Sequence, residues 1–433
     1  MLNLLNHLIL YRTDQNSLIM KIAKAVVNCD DLNEQRNKCY EAIKELLDMA
    51  TQYGWNHNLW QCLLTYHLLY NENSYTLSKE RVKDSFNGSI QNFLLHDMEL
   101  FYELFHYDFT KVENKLGINC IQIICNYQAV VKRAELVDDM TGTKINAIKH
   151  KLAAAENAQE MLDVINRFYE VYGCGKFAFH KAFRLQENSA GAAIIPITNM
   201  AKITLDELIG YDTQKQELRD NTEAFLNGYS ANNVLLYGES GTGKSTSIKG
   251  IANQYYEQGL RLIEIHKHQF HLLNELMQQL KSRNYGFIIY MDDLSFEENE
   301  IEYKYLKAVI EGGLEMRPRN VLVYATSNRR HLIKETWRDR NDIHEDQDMN
   351  ISETMSEKLS LVARFGISIY YGRPSNQQYQ TIVKKLAEAA ELDYSEQELW
   401  QMATAWELRH GGVSGRCARQ LIDHLEAKAK GQV

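Results

Sequence analysis

The stretch Val234-Leu235-Leu236-Tyr237-Gly238-Glu239-Ser240-Gly241-Thr242-Gly243-Lys244-Ser245-Thr246 constrains this chain more than any other. Val234 to Tyr237 is a short apolar run, Gly238 to Ser245 satisfies G-x-x-x-x-G-K-[ST] without mismatch, and Ser245 to Ala252 has helical character. Strand, glycine loop and helix start come in the order a phosphate-binding loop requires. A triphosphate carries several negative charges that must be met without bulky side chains in the way. Glycines let the backbone curl so that its N–H groups point inward, and the helix that follows offers its positive end. The loop thus predicts a nucleoside triphosphate with Mg²⁺: Gly238 through Thr246 contact the nucleotide, Lys244 supplies a point charge at the β- and γ-phosphates, and the Ser245 hydroxyl ligates the metal, a pattern that alone fits a kinase, a GTPase or a transporter motor. The same glycines do not make a nucleophile elbow, because Thr242 stands where G-x-S-x-G needs its second glycine.

At 433 residues the chain is too long for one ordinary core, so two or three domains are expected. The net charge of −9 gives no global field toward nucleic acid or an anionic membrane, so direct nucleic-acid binding is not favoured. Seven cysteines, none in a C-x-x-C pair, point to a reducing cytoplasm rather than a disulfide framework or a zinc ribbon. No apolar run approaches the ~20 residues a membrane span needs, and residues 1–8 lack the charged start of a signal peptide.

Residues 1–172 read as an all-helical domain, with helices expected over 32–53, 59–70, 90–105 and, with a break near Glu156, 144–172. Its aromatic abundance is assigned to packing of a bundle. Gly173 and Gly175 end the helical pattern; Phe177 to Phe183 alternates like a strand, and Glu187 to Ala193 reads as a linker, so 173–200 is strand and linker. From 201 to 372 strands and helices alternate, with strands expected at 233–237, 260–265, 286–291, 320–326 and 367–371. That pattern predicts a parallel sheet covered on both faces. Residues 373–433 form a small helical domain.

Two carboxylates, Asp292 and Asp293, end the apolar run Phe287-Ile288-Ile289-Tyr290-Met291, about fifty residues past the glycine loop. Ligands of such sheets sit at the carboxyl ends of the strands. Asp292 is placed to hold Mg²⁺, and Asp293 to orient an attacking water as general base. A further strand ends in Asn328, an amide that can position the same water. Arg364, near the start of the last strand, can reach a neighbouring subunit's nucleotide, and Arg416, after Gly411-Gly412-Val413-Ser414-Gly415, can come over the γ-phosphate from the small domain. Arg419 is one turn on and is an alternative. His266 and His268 share a strand face with His271 nearby, but no carboxylate or cysteine at helical spacing completes a metal site. The Arg329-Arg330-His331 cluster reads as a helix cap or intersubunit contact, and Asp339 to Asp348 as a surface loop.

Taken in order, these motifs resemble the AAA+ ATPases over roughly residues 203–428, as Walker A, Walker B, sensor 1, arginine finger and sensor 2. Leu205-Asp206-Glu207-Leu208-Ile209-Gly210-Tyr211 is similar to the segment that packs on adenine in that family, with Ile209 and Tyr211 as contacts. A narrower resemblance, through Asn221 to Leu226, Asp292 to Glu297, Glu311 to Glu315, Ala325 to Leu332 and Ser414-Gly415-Arg416, is to the bacterial AAA+ family called domain of unknown function 815. The resemblance implies an α/β fold with a P-loop AAA+ core, an all-helical N-terminal domain and a small helical lid. It also implies an ATP hydrolase active as a homo-oligomer, in a ring or an open helical array, whose N-terminal domain selects a protein or nucleoprotein client. Two departures bear on activity. The pair is Asp-Asp where the AAA+ ATPases usually have Asp-Glu, which implies slow turnover, and Ala363 stands where the narrower family has an aspartate before the finger arginine. A nucleotide-gated binding module with slow or no hydrolysis, like a helicase loader, is the alternative.

Overall fold

A computed structural model of the chain describes residues 1–27, 31–81, 88–129, 139–189, 191–296, 300, 302–311, 317–328, 332 and 361–431. Cys29, the 311–315 motif, the Arg329-Arg330-His331 cluster and the 339–348 segment lie wholly or largely outside these residues. The chain forms two compact units, Met1–His180 and Lys181–Val433.

The first unit is helical. Asp31 accepts hydrogen bonds from the Asn33 and Glu34 amides and starts the helix Leu32–Tyr53, which Gly54 stops in the left-handed region at φ 66°. Helices Leu59–Tyr70 and Ile90–Phe105 fall where their apolar spacing predicts. The long pattern up to Tyr172 divides into Asp139–Ala153 and Ala158–Tyr172, the second capped by the Asn157 side chain. The aromatics largely go inside: Trp55, Trp60, Phe101 and Tyr169 are all buried. No described helix is long and apolar enough to cross a membrane.

The second unit holds a seven-stranded sheet in the order β2-β1-β4-β5-β6-β3-β7, with β1 Ala182–Asn188, β2 Gly191–Pro196, β3 Val234–Gly238, β4 Leu260–Glu264, β5 Gly286–Met291, β6 Val321–Ser327 and β7 Ile367–Tyr371. Strands β3 to β7 are parallel throughout, with Val234 opposite both Tyr324 and Ile367. From β3 the chain leaves to β4, works back through β5 to β6 beside its start, then crosses to β7 on the other side. The carboxyl end of β3 is therefore a topological switch point, where a ligand crevice forms. Three helices, Asn376–Ala389, Glu396–Arg409 and Gly415–Ala429, follow the sheet and carry a core of their own around Tyr379, Leu386, Leu421 and Ile422. This is the α/β architecture expected, a parallel sheet with the phosphate loop at its switch point, with helices before it and a small helical domain after it.

Three local expectations fail. Residues 177–179 are not strand but belong to a helical turn, Lys176–Phe179. Phe177, Ala178 and Phe179 are all buried, so the alternation of large and small residues did not mark two faces. Residues 187–193 are not a linker: Gly191, at φ 110°, opens β2, which pairs antiparallel with β1 and widens the sheet beyond β4. Small residues there serve a tight hairpin, whose composition mimics a linker. His266 and His268 do not share a strand face, because β4 ends at Glu264 and a 3-10 helix, Lys267–Leu272, follows with His266 as its N-cap. Among the described residues no group of three or more His, Cys, Asp or Glu side chains could hold a metal ion.

Candidate nucleotide-binding site

Strands β3, β5 and β6 all point their carboxyl ends at one cavity of about 630 Å³. Ser240 to Thr246 form its floor, Asp292, Asp293, Thr326 and Asn328 one side, Ile203, Glu207, Leu208, Ile209 and Tyr211 another, and Ile382, Leu386, Gly415, Arg416, Arg419 and Gln420 come from the lid.

The loop is shaped by close approaches. A Cβ on Gly238 would lie 2.1 Å from the Tyr371 carbonyl oxygen, and φ is 134°, so no side chain fits. A Cβ on Gly241 would lie 3.1 Å from the Arg416 Cβ, and the Gly241 carbonyl accepts from the Arg416 amide at 3.2 Å. Lid and loop thus touch backbone to backbone. Thr242 donates to the Glu239 carbonyl at 2.8 Å and closes the turn, while the Glu239 carboxylate pairs with Arg373 at 3.2 Å.

Lys244 is buried and spends its three N–H groups on the Gly238 carbonyl at 2.9 Å, the Glu239 carbonyl at 2.7 Å and Asn328 Oδ1 at 3.0 Å. Burial pulls its pKa below the ordinary lysine value, against the pull of Asp293, Asp292 and Glu239 in the other direction. Asn328 turns its other end to Asp293, with Nδ2 donating to Oδ1 at 2.7 Å. One amide therefore joins the lysine to the second carboxylate.

Asp292 faces Ser245. Its Oδ1 accepts from Ser245 Oγ at 2.7 Å and from Thr326 Oγ1 at 2.6 Å. Burial works to raise its pKa, but the hydroxyls of Thr326 and Ser245, which donate to it, prevail and hold the carboxyl below its ordinary value. The Tyr290 hydroxyl bears on both Ser245 and Asp292 yet sits outside hydrogen-bonding geometry with either, so it is buried without a partner. Thr326 also accepts from the Asp293 amide at 2.9 Å. It therefore sets both carboxylates, and its signal in the sequence was a hydroxyl at the end of an otherwise apolar strand. Asp293 itself is at φ 49°, a left-handed position that aspartate tolerates better than longer side chains.

The donor set suits Mg²⁺. An ionised carboxylate and a hydroxyl are hard oxygen ligands 2.7 Å apart, and Mg²⁺ is held by one or two such groups plus phosphate oxygens. The unpartnered Tyr290 hydroxyl lies against the same pair. Ser245 and Asp292 would hold the ion.

Ile209 packs against the lid core, and the Tyr211 hydroxyl donates to the Gly372 carbonyl at 2.8 Å with its ring 5.0 Å from that of Tyr371. Both arginines of the lid, Arg416 and Arg419, line the cavity; spacing alone did not separate them. Arg364 is not brought here. It sits on the turn before β7 and is not among the described residues lining the cavity. Ile203, Gln420, Ile382 and Leu386 were missed, because nothing local marks a side chain whose partner surface lies elsewhere in the chain.

A family model described as "Protein of unknown function (DUF815)" matches residues 178–429. The chain is similar to the replication factor C large subunit of Nanoarchaeum equitans (strain Kin4-M), at 23% identity over 234 residues, covering 52% of this chain and 46% of that protein. Among solved structures, the Thermotoga maritima RuvB Holliday junction branch migration motor matches at 19% identity and TM-score 0.35, covering 53% of this chain and 66% of that one. The FIGL-1 AAA domain in complex with ADP matches at 16% identity and TM-score 0.38, covering 53% of this chain and 75% of that one. The chain thus spans less than half the length of its archaeal relative.

Proposed function

The chain belongs to the DUF815 family, and from that premise we propose that it is a Mg²⁺-dependent ATPase that couples ATP binding and hydrolysis to remodelling or loading of a macromolecular partner. The observation that carries this is the chain Lys244–Asn328–Asp293, joined by contacts of 3.0 and 2.7 Å beside the Ser245–Asp292 pair. Lys244 would exchange its loop carbonyls for β- and γ-phosphate oxygens. Asp293 would take the proton of the attacking water, and Asn328 would orient that water once released from Asp293. Mg²⁺ held by Ser245 and Asp292 would supply charge neutralisation for the phosphates. Arg416 would neutralise the transferred phosphoryl from the lid.

The cavity receives Arg416 and Arg419 from its own lid but not Arg364. We therefore assign Arg364 to a second copy's nucleotide, in a ring or an open helical array, where a guanidinium can contribute about 10³–10⁵ in rate. The helical N-terminal unit would select the client, a protein or nucleoprotein in the cytoplasm. The test is ATPase specific activity against protein concentration. Activity that rises with concentration and is lost in Arg364→Ala supports the trans arrangement; activity indifferent to both removes it.

A second reading, a nucleotide-gated binding module with slow turnover, draws on Asp293. Its side chain is short, held at φ 49° and already bonded to Asn328. If Asp293→Asn leaves turnover unchanged while Lys244→Ala abolishes ATP binding, the module reading stands. Gel shifts with single- and double-stranded DNA test whether its partner is DNA, against the net charge of −9.

A further inference from the structure

The strap 201–209 crosses the helix Lys244–Gln254 before the chain reaches the cavity wall it supplies. It has no regular secondary structure over most of its length, so its position must be set by what it touches. Two contacts come from that helix. Asn253 Nδ2 donates to the Ala201 carbonyl at 2.8 Å and the Ile203 carbonyl at 2.7 Å. Gly250 lies under the strap so closely that a Cβ would be 2.9 Å from the Leu205 amide nitrogen and 3.2 Å from the Thr204 carbonyl carbon. Leu205 is fully buried in the same place. Farther along, the Leu208 carbonyl accepts from Lys215 at 2.9 Å, and the Leu208 side chain would lie 2.6 Å from a Cβ on Gly243.

The strap therefore meets the glycine loop at Gly243 and the loop's helix at Gly250 and Asn253. Phosphate cradle and strap wall share one rigid element, with Lys244 at its first turn and Asn253 at its last. We propose that Asn253 and Gly250 are positioning residues for recognition of the nucleoside: they hold the strap that places Ile203, Leu208 and Ile209 on the wall of the cavity beside the phosphate loop, where the nucleoside would lie. They touch no phosphate and act only through the strap. This rests on the nucleotide reading above, and it extends that reading to residues outside the loop, the carboxylates and the lid.

Mg²⁺-tripolyphosphate separates the two halves of the site, because it has the phosphates of ATP and no nucleoside. Calorimetric titration of the full chain with each ligand is the experiment. Wild type should bind Mg²⁺-ATP more tightly than Mg²⁺-tripolyphosphate. Asn253→Ala, which removes two hydrogen bonds to the strap, and Gly250→Ala, whose Cβ would push on it, should each weaken ATP about tenfold and leave tripolyphosphate within about twofold. Retained tripolyphosphate binding also reports that each variant is folded. Asn253→Asp, which keeps the size but loses both donors, should behave as Asn253→Ala. Equal losses for both ligands, or no loss for either, overturn the proposal, as does a wild type that binds the two ligands equally. The last outcome leaves the phosphate-loop reading standing; a wild type that binds neither ligand removes that reading as well.

Discussion

Asn328 donates from Nδ2 to Asp293 Oδ1 at 2.7 Å while its Oδ1 accepts from Lys244 at 3.0 Å. The amide that would orient water is engaged at both ends by the two groups it would work between. Its removal frees both. Asn328→Ala should therefore lower turnover by about 100-fold, the low end of what proton-transfer groups contribute, while ATP affinity changes less than about threefold. Steady-state rates beside equilibrium titrations check the split; a parallel loss of both would mean that Asn328 serves binding.

Asp293 combines a catalytic carboxylate position with φ 49°. Asparagine tolerates that conformation, so Asp293→Asn should keep its stability within about 0.5 kcal/mol and lose about 10²–10⁴ in turnover. Asp293→Glu restores the longer arm but should cost about 1 kcal/mol, from strain at the left-handed position. Thermal melts and rates on the pair test this; a glutamate variant with unchanged stability would show that the backbone does not select aspartate.

Thr326 holds Asp292 below the ordinary carboxylate pKa. A carboxyl depressed on folding stabilises above its unfolded value, near ~3.9, and that contribution is lost as pH falls through the folded value. Thr326→Val should lower the urea midpoint at about pH 7, and the gap from wild type should narrow at about pH 3. A gap that does not depend on pH would assign the loss to packing.

Gly238 and Gly241 should fail differently. Gly238→Ala drives a Cβ to 2.1 Å from backbone at φ 134°, so it should destabilise the fold, by about 1–3 kcal/mol or more. Gly241→Ala meets the Arg416 and Ser414 side chains of the lid at 3.1 and 3.2 Å. It should displace the lid and weaken ATP binding with a smaller effect on unfolding. Denaturation curves and nucleotide titrations of both variants distinguish the two.

Tyr290 buries a hydroxyl that has no partner. Tyr290→Phe deletes the unsatisfied group at almost constant volume, so stability should stay level or rise by up to about 1 kcal/mol in the Mg²⁺-free protein. A clear loss of thermal stability would show that the hydroxyl already has a partner, such as a bound water.

The sequence alone determined the sheet strands β3 to β7 to within a residue, and the motifs at their ends. Those signals are local. Val234 to Tyr237 must be buried strand because it is short, apolar and followed by glycine, and Gly238 to Ser245 can do little but wrap phosphate. The same local patterns misread 177–179 and 187–193, where a helical turn and a tight hairpin use the same small and aromatic residues as a strand and a linker. Only the tertiary structure brought Asn328 between Lys244 and Asp293, set Thr326 on both carboxylates, admitted Arg416 and Arg419 to one cavity and left Arg364 outside it. It also laid 201–209 across Gly250 and Asn253, some fifty residues away in the chain. A periodic pattern says which face of an element is buried; it does not say which other element buries it. Those pairings depend on strand order and on where each loop returns, and they exist only when the whole sheet has closed.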